Sequence, residues 1–379
     1  MIRGDLPPVG NTILTKPSTI IPSFDGFDAF YVDSGTSALA LAIIAAKQLQ
    51  PEIAKPEVIV PAYCCPDLVS AAVYADTQVI VVDISPDDPA YDLEQLGEAI
   101  NSNTIAVIAV NFLGIKERLA EIKNLLPSHC HLIEDNAQNF EPLQAPEQLV
   151  GDMVITSFGR GKPVSLLGGG LCLVKEKLNQ HLALINQIQP AQKSSLLKAK
   201  IIAYNGLINP ALYPLINRNP LLSIGETCYK SLAGICALDQ QRLAWLSSNI
   251  QAYDRQNTSA QQALNDMFSK SKHVGLKSLA LASNPRCGKA LRYPVLCQSE
   301  NIRDQLLVAL NRKGLGATAM YQRPLVDIPF MRELTKGGGR TAACFSRRLI
   351  TLPCHPSVTH HDVEKINLGI ATVMNQINH

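Results

Sequence analysis

Residues 131–138, HLIEDNAQ, and residues 153–162, MVITSFGRGK, share one construction. In each, a short run of branched apolar residues gives way abruptly to polar or small ones, as a strand does when both its faces are buried and its end opens on a loop. Working outward, Val58 to Val60, Val79 to Val82 and Ile105 to Val110 repeat the pattern. Helix-like stretches such as Ser37 to Leu49 and Lys116 to Leu126 lie between the runs. Short apolar strands alternating with helices predict βαβ units of a buried parallel sheet, so the first part of the chain reads as an α/β domain.

The remainder changes character. Residues 189–227 form an apolar excursion punctuated by Pro210, Pro214 and Pro220, which predicts irregular or short-helical structure. A long helical pattern from about Ala233 to Met267 can carry the chain into a second domain, with strand-like RYPVLC at 292–297 and RLITLPC at 348–354. The expected organisation is an N-terminal arm at 1–29, a large domain at 30–245 and a smaller domain at 246–379.

A chain of 379 residues that is 46% hydrophobic and 17% charged can bury a large core. Its net charge of +2 and the lack of a basic stripe interleaved with aromatics argue against nucleic acid. The start, MIRGDLPPVGN, has no apolar run of a secretory signal, and Lys198 and Lys200 interrupt the most apolar candidate for a membrane span. The ten cysteines include no CxxC pair, which fits free thiols in a reducing, cytoplasmic setting better than disulfides or a zinc site. No metal is expected: His355, His360 and His361 read as surface residues.

Four segments have residue types that suit a phosphate-bearing aldehyde cofactor. Asp33-Ser34-Gly35-Thr36-Ser37 precedes an Ala/Leu-rich helix, where small residues either surround a phosphate or simply cap the helix. The acids after Ile133 lie where open parallel sheets bind ligands, or in a solvated turn. Lys162 ends a small-residue turn and is either an ordinary surface lysine or an amine for Schiff-base chemistry. Gly168-Gly169-Gly170 predicts close backbone approach or a tight turn before another strand.

Taken in order, SGTSAL, VIVPAY, VVDISPD, IEDNAQ, SFGRGK and GGG resemble the DegT/DnrJ/EryC1/StrS aminotransferases. The resemblance continues through GLGATAMYQRPL and SRRLITLPCHPSVTHHDVEKI and so covers most of residues 30–375. It implies a pyridoxal 5'-phosphate (PLP) transferase of fold type I, with a mostly parallel sheet of the seven-stranded type in the large domain and an α+β small domain. By the same resemblance Lys162 binds the cofactor covalently, Asp135 pairs with its pyridine nitrogen and Gln138 touches its ring face or phenolic oxygen. Gly35, Thr36 and Ser157 hold its phosphate. Tyr321 and Arg323 fall in a segment at the mouth of the site, where a phenol and a cation could hold an anionic substrate, or serve as surface structure.

Three places depart from the pattern. Cys65 stands where an aromatic usually covers the ring, leaving Tyr63 or a smaller group to do so. Cys228-Tyr229-Lys230 replaces an Asn-Tyr-Arg that reaches a partner's phosphate, and Gly168 replaces a polar residue near the substrate. The expected function is an aminotransferase moving an amino group, from glutamate, onto a keto-sugar or related ketone in polysaccharide or secondary-metabolite synthesis. The alternative is an altered PLP-binding or cofactor-free paralogue serving as a regulatory or scaffold subunit. The resemblance implies a homodimer with residues near Cys228 donated across its boundary. The acid-free stretch 195–222, with Lys198, Lys200 and Arg218, is expected to pack in the dimer or domain, or else to make weak peripheral membrane contact.

Overall fold

The side chains of β4 (Thr104–Val110) explain the architecture in miniature. Ala106 and Ile108 join the core beneath one layer of helices, and Val107 and Ala109 join the core on the opposite face. A strand with both faces covered must be apolar at nearly every position, and the near-continuous runs of the sequence are that requirement written out. The computed structural model describes residues 4–377 except 141, 142, 144, 193, 218–226, 272 and 282.

In chain order the first part runs β1 (Phe27–Val32), α1 (Gly35–Gln48), β2 (Glu57–Pro61), α2 (Asp67–Tyr74), β3 (Gln78–Val82), α3 (Leu93–Ala99), β4, α4 (Leu119–Leu125), β5 (His131–Asp135), β6 (Met153–Ser157) and β7 (Gly170–Lys175). The excursion follows with α5 (Glu176–Asn179), α6 (Leu197–Leu207) and α7 (Pro214–Asn217). Next come α8 (Gln240–Asp254), α9 (Ser259–Lys270), β8 (Leu276–Ser278), β9 (Tyr293–Cys297), α10 (Glu300–Arg312), α11 (Met331–Leu334), β10 (Thr335–Gly337), α12 (Arg340–Arg348), β11 (Leu349–Leu352) and α13 (His360–Ile377).

The large sheet has the order β1-β7-β6-β5-β4-β2-β3-β10. It is parallel from β6 to β10, and β7 runs antiparallel to both β6 and β1. Those two reversals restore direction, so β1, β5 and β6 all end on one edge. The sheet has eight strands rather than the expected seven, because β10 returns from the C-terminal part of the chain and pairs with β3. A short apolar run announces a buried strand, but Thr335-Lys336-Gly337 sits at a sheet edge and carries no such signal.

The small antiparallel sheet β11-β9-β8 packs against α9, α10 and α13 around Tyr293, Val295, Leu306, Ile350, Ile366 and Ile370. The helical pattern expected to run unbroken from 233 to 267 divides into α8 and α9. The polar sequence between them ends the first helix, and Asn257 Oδ1 accepts the Ser259 N–H at 2.7 Å, a local bond that competes with helical pairing. The excursion holds the short helices α6 and α7, as expected; residues 218–226, including Arg218 and Pro220, lie outside the described residues.

The N-terminal segment is stitched into the molecule. Leu6, Val9 and Ile13 are buried, the Leu6 N–H donates to Gly314 O (2.8 Å), and the Ile13 N–H donates to Asn205 Oδ1 (2.9 Å). That segment also overturns the surface reading of His355, which is buried with Nε2 bonded to Pro7 O at 2.9 Å. Burial pushes the His355 imidazole below its ordinary pKa, against the opposing influence of the Pro7 carbonyl and Asp362. His360 and His361 are exposed, as expected, and reach Glu364.

Candidate active site

The common edge of β1, β5 and β6 gathers the residues that the sequence singles out. After β1, Ser34 caps α1: its Oγ accepts the Ser37 N–H at 3.0 Å. The capping reading and the phosphate reading are compatible, since one cap leaves other first-turn N–H groups unpaired. The first turn of α1 contains no acid, so nothing there offsets the positive end of the helix dipole. Ser157, the last residue of β6, stands directly against this turn. A Cβ built on Gly35 would come within 2.6 Å of Ser157 Cβ and 2.7 Å of its Oγ. Only glycine permits that approach, which brings a hydroxyl to the N–H groups of Gly35 and Thr36.

From Ser157 the chain turns sharply to Lys162. The Gly159 N–H donates to Ser157 Oγ at 3.3 Å, the Lys162 N–H donates to Gly159 O at 3.3 Å, and Gly161 has a φ of +75°, in the left-handed region. The turn therefore presents Lys162, half-buried, at the sheet edge. Across from it Asp135 ends β5, buried, with Oδ1 accepting the Ala137 N–H at 2.8 Å. Burial pushes the Asp135 carboxyl above the usual carboxylate range; the Ala137 N–H and the Lys162 cation oppose this, and Asp67 adds to it. A carboxylate so placed gains from a cationic partner.

The adjoining acid, Glu134, has a different task. Its Oε2 accepts the Val150 and Gly151 N–H groups at 3.2 Å, and its Oε1 accepts the Asn136 amide at 2.9 Å. It fastens a loop behind the sheet. Asp152 is likewise structural: it accepts the Leu132 N–H at 3.0 Å and pairs with Lys123 and Lys175.

Gln138 Nε2 donates to the Tyr321 phenol at 3.1 Å, which brings two of the sequence candidates together from positions 183 residues apart. Gln138 Oε1 and both side-chain polar atoms of Asn139 are buried with no protein partner. Orphaned buried amides are rare and require an explanation. Arg323, by contrast, is exposed and makes no hydrogen bond or ion pair among the described residues.

The residues at the aromatic gap are also placed. Tyr63 is buried, its hydroxyl donates to Tyr321 O at 2.9 Å, and its ring packs edge-on against Phe112, Tyr321 and Phe345. It is committed to an aromatic core and is not free to lie over a cofactor. Cys65 is half-buried within electrostatic reach of Asp67 and Lys162, with its thiol pushed up to about 12, mainly by burial. Asp67, exposed at the start of α2, acts electrostatically on Asp135, Cys65 and Tyr321, an influence the sequence does not show. As the first residue of α2 after a proline it looks like any acid at a helix start.

The donor set fits PLP. A helix N-terminus with a hydroxyl brought close by Gly35 suits the phosphate, a buried carboxylate suits a protonated ring nitrogen, and the unpartnered Gln138 and Asn139 atoms leave hydrogen bonds for polar ring substituents. One lysine stands between them. The mostly parallel sheet with this edge defines a PLP-dependent transferase of fold type I.

A model of the DegT/DnrJ/EryC1/StrS aminotransferase family matches residues 28–211 and 229–370, and the chain belongs to that family. No curated protein sequence matches significantly. Among solved structures, Spr1654 from Streptococcus pneumoniae in its PMP form is 18% identical, with a TM-score of 0.70 over 92% of this chain and 88% of that one. A DegT DnrJ EryC1 StrS aminotransferase from Brucella abortus is 19% identical, with a TM-score of 0.65 over 92% and 86%. PseC from Helicobacter pylori, an aminotransferase involved in the biosynthesis of pseudoaminic acid, is 17% identical, with a TM-score of 0.68 over 92% and 87%. At such identities the likeness is one of fold.

Proposed function

We infer that the chain is a PLP-dependent aminotransferase that moves an amino group from glutamate to a keto-sugar or related ketone in polysaccharide or secondary-metabolite synthesis. The observation that carries this reading is the placement of Lys162 at one sheet edge with Asp135 and the Gly35–Ser157 cradle. When bound, PLP supplies an electron sink for the bond broken at the substrate carbon. Gly35, Thr36 and Ser157 would hold its phosphate, Asp135 would keep its ring nitrogen charged, and the Gln138 amide, fixed by Tyr321, would offer a hydrogen bond to the cofactor. Lys162 Nζ would be the covalent anchor, and the same nitrogen, when free, would be the base that takes and returns the proton at the substrate carbon.

Residues 30–245 would form the cofactor domain and residues 246–379 the smaller one, in a cytoplasmic enzyme whose described cysteines are all free. No helix among the described residues is long and apolar enough to cross a membrane. Leu196, Ile202 and Leu215 are 74%, 70% and 68% exposed, and a homodimer would cover such apolar side chains. Light scattering checks this: a dimer at micromolar concentration is expected. Binding of the monomer to anionic vesicles would favour the membrane contact instead.

The reaction is tested by adding glutamate to the PLP-loaded protein. The visible band of lysine-bound cofactor should give way to the pyridoxamine form, with one 2-oxoglutarate released per site. A protein that neither binds PLP nor responds to glutamate is the cofactor-free subunit.

A further inference from the structure

Arg292, the residue just before β9, is a half-buried cation whose surroundings do not account for its charge. Among the described residues it makes a single hydrogen bond, from Nη1 to Thr318 Oγ1 at 2.9 Å. Thr318 in turn shares its hydroxyl with Thr351 at 2.7 Å, which fixes the guanidinium from behind. Its Nε is buried with no partner, and no carboxylate pairs with it. Compare Arg303, Arg286 and Arg348, each of which meets an aspartate or glutamate.

The groups within electrostatic reach of Arg292 are Tyr321, Tyr213 and Cys354. None can serve as its counter-ion. Burial pushes the Tyr321 phenol well above its ordinary value and the Cys354 thiol to about 12, and raises Tyr213, so all three are neutral at physiological pH. A half-buried guanidinium with an unsatisfied donor and only neutral neighbours is costly to keep, and an incoming anion relieves that cost.

Its neighbours connect it to the candidate site: Arg292 bonds to Thr318, three residues before Tyr321, and the Tyr321 phenol, within electrostatic reach of Arg292, accepts the Gln138 amide. Arg160, exposed in the lysine turn, also acts electrostatically on Tyr213 and has no ion pair among the described residues. A substrate that offers its amine at Lys162 would bring a nearby carboxylate to this corner. Arg323, the cation expected from the sequence, is exposed and has no such neighbours.

We propose that Arg292, backed by Thr318 and flanked by Tyr321, is the anchor for a carboxylate of the amino donor. A planar guanidinium takes a carboxylate in a two-point grip, so the subsite selects amino acids over simple amines. This deepens the aminotransferase reading and rests on it. A phosphate group of a nucleotide-linked acceptor has similar chemistry and is the competing source of the anion.

The test titrates the PLP-loaded protein calorimetrically with glutarate, an unreactive dicarboxylate, and separately with uridine diphosphate. R292Q should weaken glutarate at least about tenfold, as loss of a charged hydrogen-bonded pair implies, and leave uridine diphosphate within about twofold. R292K, which keeps the charge and most of the volume, should lose about threefold and serves if R292Q fails to fold or load. Glutarate affinity unchanged in the folded variants overturns the proposal, as does a loss confined to uridine diphosphate or equal for both. The two readings fail separately. Arg292-dependent glutarate binding without any pyridoxamine formation breaks the reaction and leaves the subsite standing.

Discussion

Two walls of the same site are built in opposite ways. The wall at the ends of β1, β5 and β6 is made of short contiguous segments, 33–37, 131–138 and 153–162, each a strand end with its loop. The proposed anion subsite gathers Arg292, Thr318 and Thr351 from separate parts of the C-terminal half through side-chain hydrogen bonds, and Tyr321, three residues after Thr318, bonds to Gln138 of the first wall. In the first, the proposed binding is by the backbone, which requires glycine and serine at fixed places. In the second, side chains converge from far apart, and nothing local requires one residue rather than another. A contiguous cradle leaves a pattern in the sequence; a convergent wall leaves isolated residues.

If the first wall carries the chemistry, the largest effect comes from its lysine. Lys162→Ala should remove the visible cofactor band and lower turnover by roughly four orders of magnitude or more, with the circular dichroism unchanged, because one amine both anchors and transfers the proton. Asp135→Asn should retain bound PLP and slow single-turnover conversion with glutamate roughly a hundredfold, since a neutral amide cannot stabilise the ring charge. An unaltered rate would assign the ring nitrogen to another group, and Asp67 would be the first to examine.

The cradle gives a smaller effect. Gly35→Ala places a methyl 2.6 Å from Ser157 Cβ, so Ser157 must move from the phosphate site. Overpacking of that kind costs about 1–3 kcal/mol, and PLP affinity should fall about tenfold or more in equilibrium dialysis. An unchanged PLP affinity in Gly35→Ala would separate the phosphate from this corner.

The smallest expected effect lies outside both walls, at the N-terminal segment. The folded pKa of His355 is lowered, so the unfolded chain binds its proton more readily as pH falls below the ordinary histidine value of about 6.5. Stability associated with the neutral imidazole is therefore present above that pH and is lost progressively below it. His355→Gln should flatten the dependence of melting temperature on pH between about 7 and 5. An unchanged slope would place the titrating group elsewhere.

The same contrast separates what the sequence revealed from what it hid. Val58, Ile108, Ile133 and Ile155 announce strands because burial on two faces leaves no room for polar residues. Lys162, Asp135 and the Gly35–Ser157 pair were legible because each closes such a strand or opens the helix beside it. Thr335–Gly337 was hidden because an edge strand needs no apolar side chains. His355 was misread as a surface residue because its partner is a backbone carbonyl 348 residues away. Arg292 drew no attention, since an arginine bordering an apolar strand is ordinary until its missing counter-ion is seen in three dimensions.

Reductive trapping of the bound cofactor, followed by peptide mass spectrometry, tests the central claim most directly. The wild-type protein incubated with PLP and treated with borohydride should yield one stable phosphopyridoxyl adduct per chain, on the peptide containing Lys162. An adduct on any other lysine, or none at all with the protein folded, would contradict the account.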